Sequence, residues 1–436
     1  MHILLVTPAY GPTLGGGEQY VHALAAHLAI DHAVTVVTSN ALTEEDFWQG
    51  RPLGSTLRET RDGPVRIIRC RLPGFRGGQQ ALFAWRRSMV ALSTIPTDQT
   101  PLLSRMADHM PPLHGLEEAL ALVEQPVDLV HTFNLSWENS AMAAWRYAAE
   151  RRIPLVVTPF AHVGSSATAR NISMDHQRRL LLAANQIQAL SSAEKAGLAL
   201  WGISGERIDV VGGGFVPPET PPQRGANPFG VSGRYALFIG RLSFDKGAMH
   251  AAEAILALRR AGVDISLVLA GYTTPAFDRF YDALPHDQHP YLRPIGRVSD
   301  AEKQQLLAGA ELLLLPSRAD ALGIVLLEAW SHGKPVVAAR AGGIPGVVAD
   351  GEDGLLLPFG DVRGIAAATR RLLEGPELAH RLGARGRQKV LGEYAWPAVT
   401  ERVLAGYEKA RAHFQQASPR IPTPLRPAAH PPSAAF

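Results

Sequence analysis

The chain has 436 residues, 46% of them apolar and 19% charged, with a formal net charge of +3. That length exceeds what one hydrophobic core usually serves, so two domains are expected, and the small charge gives no ground for nucleic-acid binding. One cysteine, Cys70, excludes an intrachain disulfide and a cysteine-built metal cage, which fits a reducing compartment.

The chain opens on MHILLVTPAYG, which lacks a basic leader and is too short an apolar run for a signal peptide; it reads as a buried strand (2–8). A helix follows over 18–30 and a second strand over 33–39. Further strands are expected at 65–70, 127–133, 153–160 and 207–213, with a helix over 139–152. Strands alternating with helices predict parallel sheets covered on both faces. Residues 72–112 break the rhythm with FRGG, paired prolines and the apolar–basic run ALFAWRRSMVAL, and are expected to be an irregular insertion. Between 51 and 110 arginines outnumber acidic residues, which would suit an anionic acceptor or a membrane surface, or simply a solvated surface.

The segment 212–233 has four prolines in 217–222 and many glycines, so it reads as a linker. After it the alternation restarts, with strands at 235–241, 265–272, 311–317, 334–340 and 354–359 and helices at 300–310 and 323–333. The expected organisation is a first domain 1–215, a linker 216–233, a second domain 234–392, terminal helices 393–416 that are interrupted near Pro397 and return to the first domain, and a disordered proline–alanine tail 417–436. No run reaches the length of a membrane-spanning helix, so the expected location is cytoplasmic, or peripheral at the inner face of a membrane.

Two stretches carry chemistry. In GRLSFDKG (240–247), Arg241 and Lys246 occupy the turn between a strand and a helix, where an open α/β sheet binds ligands and a helix N-terminus favours anions. Two cations there suit a diphosphate; the plain alternative is a solvated basic turn. In PSRADALGIVLLEAWSHGKPVVA (316–338), Asp320 precedes a helix start and Glu328 follows in an otherwise apolar helix. A buried carboxylate needs a partner, which sugar hydroxyls or a neighbouring cation could supply, and Asp320 could equally be an N-cap.

The combination, with AGGIPGVV (341–348) behind it, resembles the retaining glycosyltransferases of family 4, which have the GT-B fold: two doubly wound, Rossmann-like α/β domains facing across a cleft. The resemblance implies transfer of a hexose from a nucleoside diphosphate sugar to a glycan, lipid-linked or small-molecule acceptor, without metal or other cofactor. Arg241 and Lys246 would hold the diphosphate, Glu328 the ribose, and Asp320, where a glutamate is usual, the transferred sugar. The backbone of Leu322 and Gly323 would lie near the phosphates, that of Arg297 and Val298 beside the base. Gly15 and Gly16, in the glycine-rich loop GGGE, would let amides approach donor or acceptor, and His162 would reach the reacting sugar across the cleft; alone, such a histidine is more often structural. Gly346 stands where the family commonly has glutamate, and VVGGGFVPP lacks the usual proline–asparagine–glycine turn. An epimerase or phosphorylase of the same architecture, or a non-catalytic nucleotide-sugar-binding subunit, stays open. A dehydrogenase is disfavoured because GPTLGGGE is not a G-x-G-x-x-G turn directly after a strand.

Overall fold

A computed structural model describes residues 1–11, 15–43, 45–50, 57–161, 173–216, 229–231, 233–318 and 320–416. His162, most of the expected linker and the whole 417–436 tail lie outside the described residues.

The first sheet is built from β1 (His2–Val6), β2 (Ala33–Ser39), β3 (Leu57–Asp62), β4 (Val65–Cys70), β5 (Leu129–Phe133), β6 (Leu155–Thr158), β7 (Gln186–Ala189) and β8 (Ile208–Val210). Their order is β3-β4-β2-β1-β5-β6-β7-β8, with only β3 antiparallel to its neighbour. The apolar runs HILLV and LVHTF sit at the centre, buried from end to end apart from the partly exposed His2. A parallel strand with helices on both faces has no solvent side, so near-continuous hydrophobic sequence is what it requires.

The second sheet comprises β9 (Tyr235–Ile239), β10 (Ser266–Ala270), β11 (Leu292–Gly296), β12 (Leu312–Leu315), β13 (Val336–Ala339) and β14 (Leu355–Leu357). It runs β11-β10-β9-β12-β13-β14, all parallel. Numbered from its first strand this is 3-2-1-4-5-6, the doubly wound order whose topological switch point lies between the first and fourth strands. That point is the gap between the carboxyl ends of β9 and β12. In the first sheet the corresponding reversal falls between β1 and β5.

Three strands escape the sequence pattern. β3, LRETRD, is a polar edge strand; β11, LRPIG, carries a proline that only an edge strand tolerates. β7, QIQA, is buried throughout, yet two of its four side chains are amides. Gln186 Nε2 donates to Asp209 and Gln188 Nε2 to the carbonyl of Val403, each at 2.9 Å, so partners distant in sequence satisfy what looks like a loop composition.

Residues 72–112 are not an irregular insertion: they contain the helices Gly78–Leu92 and Thr100–Ala107. Their arginines are partly consumed inside the fold. Arg86 reaches the buried Glu138 at 2.7 Å, where His176 and Gln177 also converge; in β4, just before this segment, Arg69 donates to the carbonyls of Ser39 and Tyr10. The interruption expected near Pro397 falls two residues before it, at the extended Ala395 between the turn Val390–Tyr394 and the helix Trp396–Gln416; Pro397 itself does not break the helix. It occupies the second position of Trp396–Gln416, in the first turn, where a missing N–H costs little.

That last helix returns to the first domain. Tyr407 hydroxyl meets His131 Nδ1 at 2.8 Å, Lys409 pairs with Asp209 at 2.6 Å, and Trp396 packs on Tyr20 and His27. One hydrophobic core belongs to each sheet, and a third joins Tyr20 and Phe160 of the first domain to Leu322 and Leu326 of the second through Trp396.

Candidate active site at the facing switch points

Arg241 and Lys246 follow the carboxyl end of β9, and Asp320 follows β12, so the two strands flanking the switch point deliver all three. Gly247 makes the turn possible. Its φ is +76°, and a Cβ there would sit 2.1 Å from the carbonyl oxygen of Pro316, so no other residue lets the β9 and β12 loops close on each other. The helix Ala248–Arg260 begins immediately afterwards, so its N-terminal end, where backbone N–H groups lack intrahelical partners, adjoins the same turn.

Arg241 Nη2 lies 2.9 Å from Asp245, and the Tyr272 hydroxyl is close by. Burial lowers the affinity of the guanidinium for its proton, and Asp245 and Tyr272 more than restore it. Lys246 Nζ reaches Asp320 Oδ1 at 2.6 Å. The other carboxylate oxygen, Asp320 Oδ2, is buried and has no hydrogen-bond partner among the described residues. Asp320 does not cap the following helix; Gly323 does, with φ +76°. The backbone of the Asp320 loop is held from below by the AGG segment, where Gly343 N–H donates to Asp320 O at 2.6 Å.

Glu328 is buried in the helix Ile324–Ser331 and its Oε1 takes Lys303 at 2.6 Å, so a cation supplies its partner in this structure. Burial raises its pKa and Lys303 draws it partly back. Lys303, on the helix Asp300–Gly309, also touches Asp300 at 2.9 Å. Neither the lysine nor its pairing follows from the sequence pattern around Glu328; the DAEK stretch contains it, but only the fold sets it beside the apolar helix.

Arg297 and Val298 come just after β11, with Val298 packed on the shared core. The Arg297 guanidinium lies 5.0 Å from the centre of the Tyr272 ring, placing Tyr272 between the two arginines 241 and 297. Tyr272 is a residue that the sequence pattern misses, since it lies in an undistinguished loop after β10.

From the opposite wall come Gly15, the N-cap of the helix Gly16–Leu28, and Gly16, its first residue. A Cβ on Gly16 would be 2.9 Å from Ile324 Cδ1, so the glycine loop of the first domain rests on the first turn of the second domain's Ile324–Ser331 helix. Gly213 meets Leu322 in the same way, which gives the glycine run 212–214 a role where the usual proline–asparagine–glycine turn is missing. Gly346 is a third contact across the domains: its Cβ position is 2.9 Å from Ala193 N and 3.0 Å from Ser191 Cβ. The glutamate common there would not fit in this arrangement. Beside it, Glu194 accepts N–H bonds from Ala161 and Leu190, and burial pushes its pKa up to about 7.

Two parallel, doubly wound sheets with their switch points facing define the GT-B architecture. The family described as "Glycosyl transferases group 1" matches residues 220–389, and "Glycosyl transferase 4-like domain" matches residues 15–214. The chain belongs to this group 1, family 4 class of glycosyltransferases. Among its relatives, the glycogen synthase of Mycobacterium tuberculosis is 32% identical over 186 residues, 43% of this chain and 45% of the relative. The match thus spans less than half of that curated relative. The fold is similar to that of sucrose-phosphate synthase from Thermosynechococcus elongatus, with a TM-score of 0.68 at 20% identity over 94% of this chain and 99% of the other. It is also similar to the catalytic domain of starch synthase IV from Arabidopsis thaliana bound to ADP and acarbose, with a TM-score of 0.64 at 16% identity over 94% and 99%.

Proposed function

We propose that the protein transfers a hexose from a nucleoside diphosphate sugar to an acceptor hydroxyl with retention of the α configuration, in the assembly of a polysaccharide or glycolipid. The observation that carries this reading is the Arg241–Lys246–Asp320 group at the second domain's switch point. It combines two cations beside a helix N-terminus with a buried carboxylate oxygen, Asp320 Oδ2, that has no partner among the described residues and suits a sugar hydroxyl. Family membership and the relatives' names support a nucleotide-sugar donor and a carbohydrate-type acceptor.

Arg241 and Lys246 bind the diphosphate and stabilise the negative charge it gains as the anomeric C–O bond breaks, in place of a metal ion. The acceptor hydroxyl oxygen forms the new bond on the face the phosphate leaves. Its proton passes to the departing phosphate oxygen, so the products are the glycoside and the nucleoside diphosphate. Asp320 orients the transferred sugar, and Lys246 holds one of its carboxylate oxygens at 2.6 Å. Donor ribose hydroxyls share Glu328 with Lys303, and the backbone of Leu322 and Gly323 faces the phosphates. Arg297 and Val298 border the base, and Gly15 and Gly16 close the site from the first domain. His162 belongs to the same proposal through its place after β6. Closure excludes water, which would otherwise hydrolyse the donor.

The test is a thermal-shift screen against UDP-, GDP-, ADP- and dTDP-sugars, each with and without EDTA. One nucleotide sugar raising the melting temperature equally in both conditions supports the donor site and its independence of metal. No shift with any of them overturns it and favours a phosphorylase or a non-catalytic relative.

A further inference from the structure

The first domain carries an aromatic and basic face that the transfer reaction, as described, does not use. The short helix Asp46–Gln49 follows the carboxyl end of β2, and Gly78–Leu92 follows that of β4. Both strands run parallel to β1, so these helices share the sheet edge that presents Gly15 and Gly16 to the second domain. Trp48 and Phe83 meet there with ring centres 6.5 Å apart. Phe83 is 48% exposed although it sits mid-helix, and Trp48 is half-buried. The Phe75 N–H donates to Trp48 O at 3.0 Å and pins the two segments together. Behind them Trp137 stacks on Phe47 at 4.5 Å, extending the aromatic wall toward the end of β5.

Arg87 lies one turn beyond Phe83 on the same exposed helix face, and Arg76 sits just before the helix starts. Neither has an ion-pair or hydrogen-bond partner among the described residues. Elsewhere in this domain Asp98 pairs with Arg179 at 2.6 Å, Asp108 with Arg146 at 2.9 Å and Glu138 with Arg86, and Asp46, beside Trp48, accepts from the Leu42 and Thr43 N–H groups. An exposed aromatic pair offers an apolar face to a sugar ring, and an unpaired guanidinium fork suits a phosphate, sulfate or carboxylate. β4 is two strands from β1, about 10 Å at ordinary strand spacing, which is farther than one hexose ring reaches.

We infer that Trp48, Phe83, Arg76 and Arg87 form an acceptor subsite for an anionic oligosaccharide, holding a sugar unit remote from the reacting hydroxyl. The ring lies on Phe83 and Trp48, and its acidic substituent is taken by Arg87 and Arg76. This rests on the glycosyl-transfer reading for the direction of the acceptor, but the subsite binds without donor, and that separates the two tests.

Calorimetric titration of the full chain, without nucleotide, would use fondaparinux as a sulfated pentasaccharide probe and maltopentaose as its neutral counterpart. The expected result is that fondaparinux binds more tightly than maltopentaose. Phe83→Ala and Arg87→Gln should each weaken fondaparinux roughly tenfold, the loss of one charge-assisted or stacking contact, at unchanged melting temperature. Lys246→Ala should leave that affinity unchanged, which distinguishes the subsite from the diphosphate site. Absence of fondaparinux binding, or binding indifferent to Phe83→Ala and Arg87→Gln, overturns the inference. So does the finding that these variants lose binding to phosphatidylglycerol vesicles while keeping the oligosaccharide, which would make the face a membrane contact. Failure of the donor reading shows separately, as no stabilisation by any nucleotide sugar.

Discussion

Asp320 has one oxygen held by Lys246 and one buried with no partner among the described residues, an arrangement that costs free energy unless a ligand completes it. Asp320→Asn keeps the shape but removes the charge facing Lys246. It should lower turnover by at least about tenfold while leaving nucleotide binding largely intact, as steady-state rates beside donor titrations would show. Arg241 is less embedded: among the described residues its Nη2 pairs with the partly exposed Asp245 at 2.9 Å, its Nε reaches the Ser243 hydroxyl at 3.4 Å, and Tyr272 lies beside it. Its removal costs little stability, since such exposed pairs contribute up to about 1 kcal/mol. Arg241→Ala should therefore cut turnover by roughly two to three orders of magnitude with a nearly unchanged melting temperature. Near-normal rates in that variant would remove Arg241 from the diphosphate role. The residue types at 241, 246 and 320 are legible in the sequence because the turns that carry them are short and local. The Lys303 pairing of Glu328 and the ring of Tyr272 between Arg241 and Arg297 are not, because each joins segments distant in the chain.

At the scale of elements, glycines bring the two domains into close approach at three points beside their shared core. The turn containing Gly346 approaches the start of the helix Ser192–Leu200 to within contact of its backbone. Gly346→Glu would need room for a long charged side chain where 2.9 Å separates a bare Cβ from Ala193 N. The expected outcome is a domain pair held further apart: a larger radius of gyration by small-angle scattering and a reduced turnover, with each domain still folded. An unchanged radius of gyration and full activity would mean that this contact does not set the closure. The helices Gly78–Leu92 and Thr100–Ala107 were hidden in the sequence by glycines and prolines at their margins, which punctuate the segment without disrupting the helices between.

For the whole molecule, the helix Trp396–Gln416 leads the chain from the second domain back onto the first, which it contacts from its first residue, Trp396, onward. Its anchor, Tyr407, meets His131 at the centre of β5, and His131 Nε2 contacts the Thr158 hydroxyl on β6 at 2.8 Å. Burial lowers the His131 pKa to about 3, so the folded protein keeps this imidazole neutral where the unfolded chain, near 6.5, takes a proton. The unfolded state then binds more protons, and stability falls as pH drops from about 6.5 toward 3, by up to about 1.4 kcal/mol per unit. His131→Gln should flatten that part of the acid limb in melting curves taken between about pH 6 and pH 4; an acid limb of unchanged slope would assign the loss to other groups. Tyr407→Phe, which removes the hydroxyl from a fully buried pair, should lower the melting temperature while leaving donor affinity unaltered.

The sequence by itself determined the two alternating halves, the positions of most central strands and the Arg–Lys and Asp–Glu stretches at a helix start. All of these depend on hydrophobic period and local turn chemistry, which act between near neighbours. Only the tertiary structure decided that β7 is a strand despite its glutamines, that Pro397 begins a helix and that Glu328 already has a cation. It also decided that the glycines at 16, 213 and 346 lie in close contact across the domains. These outcomes turn on partners far apart in the chain, whose desolvation and close packing are set only once both sheets have formed.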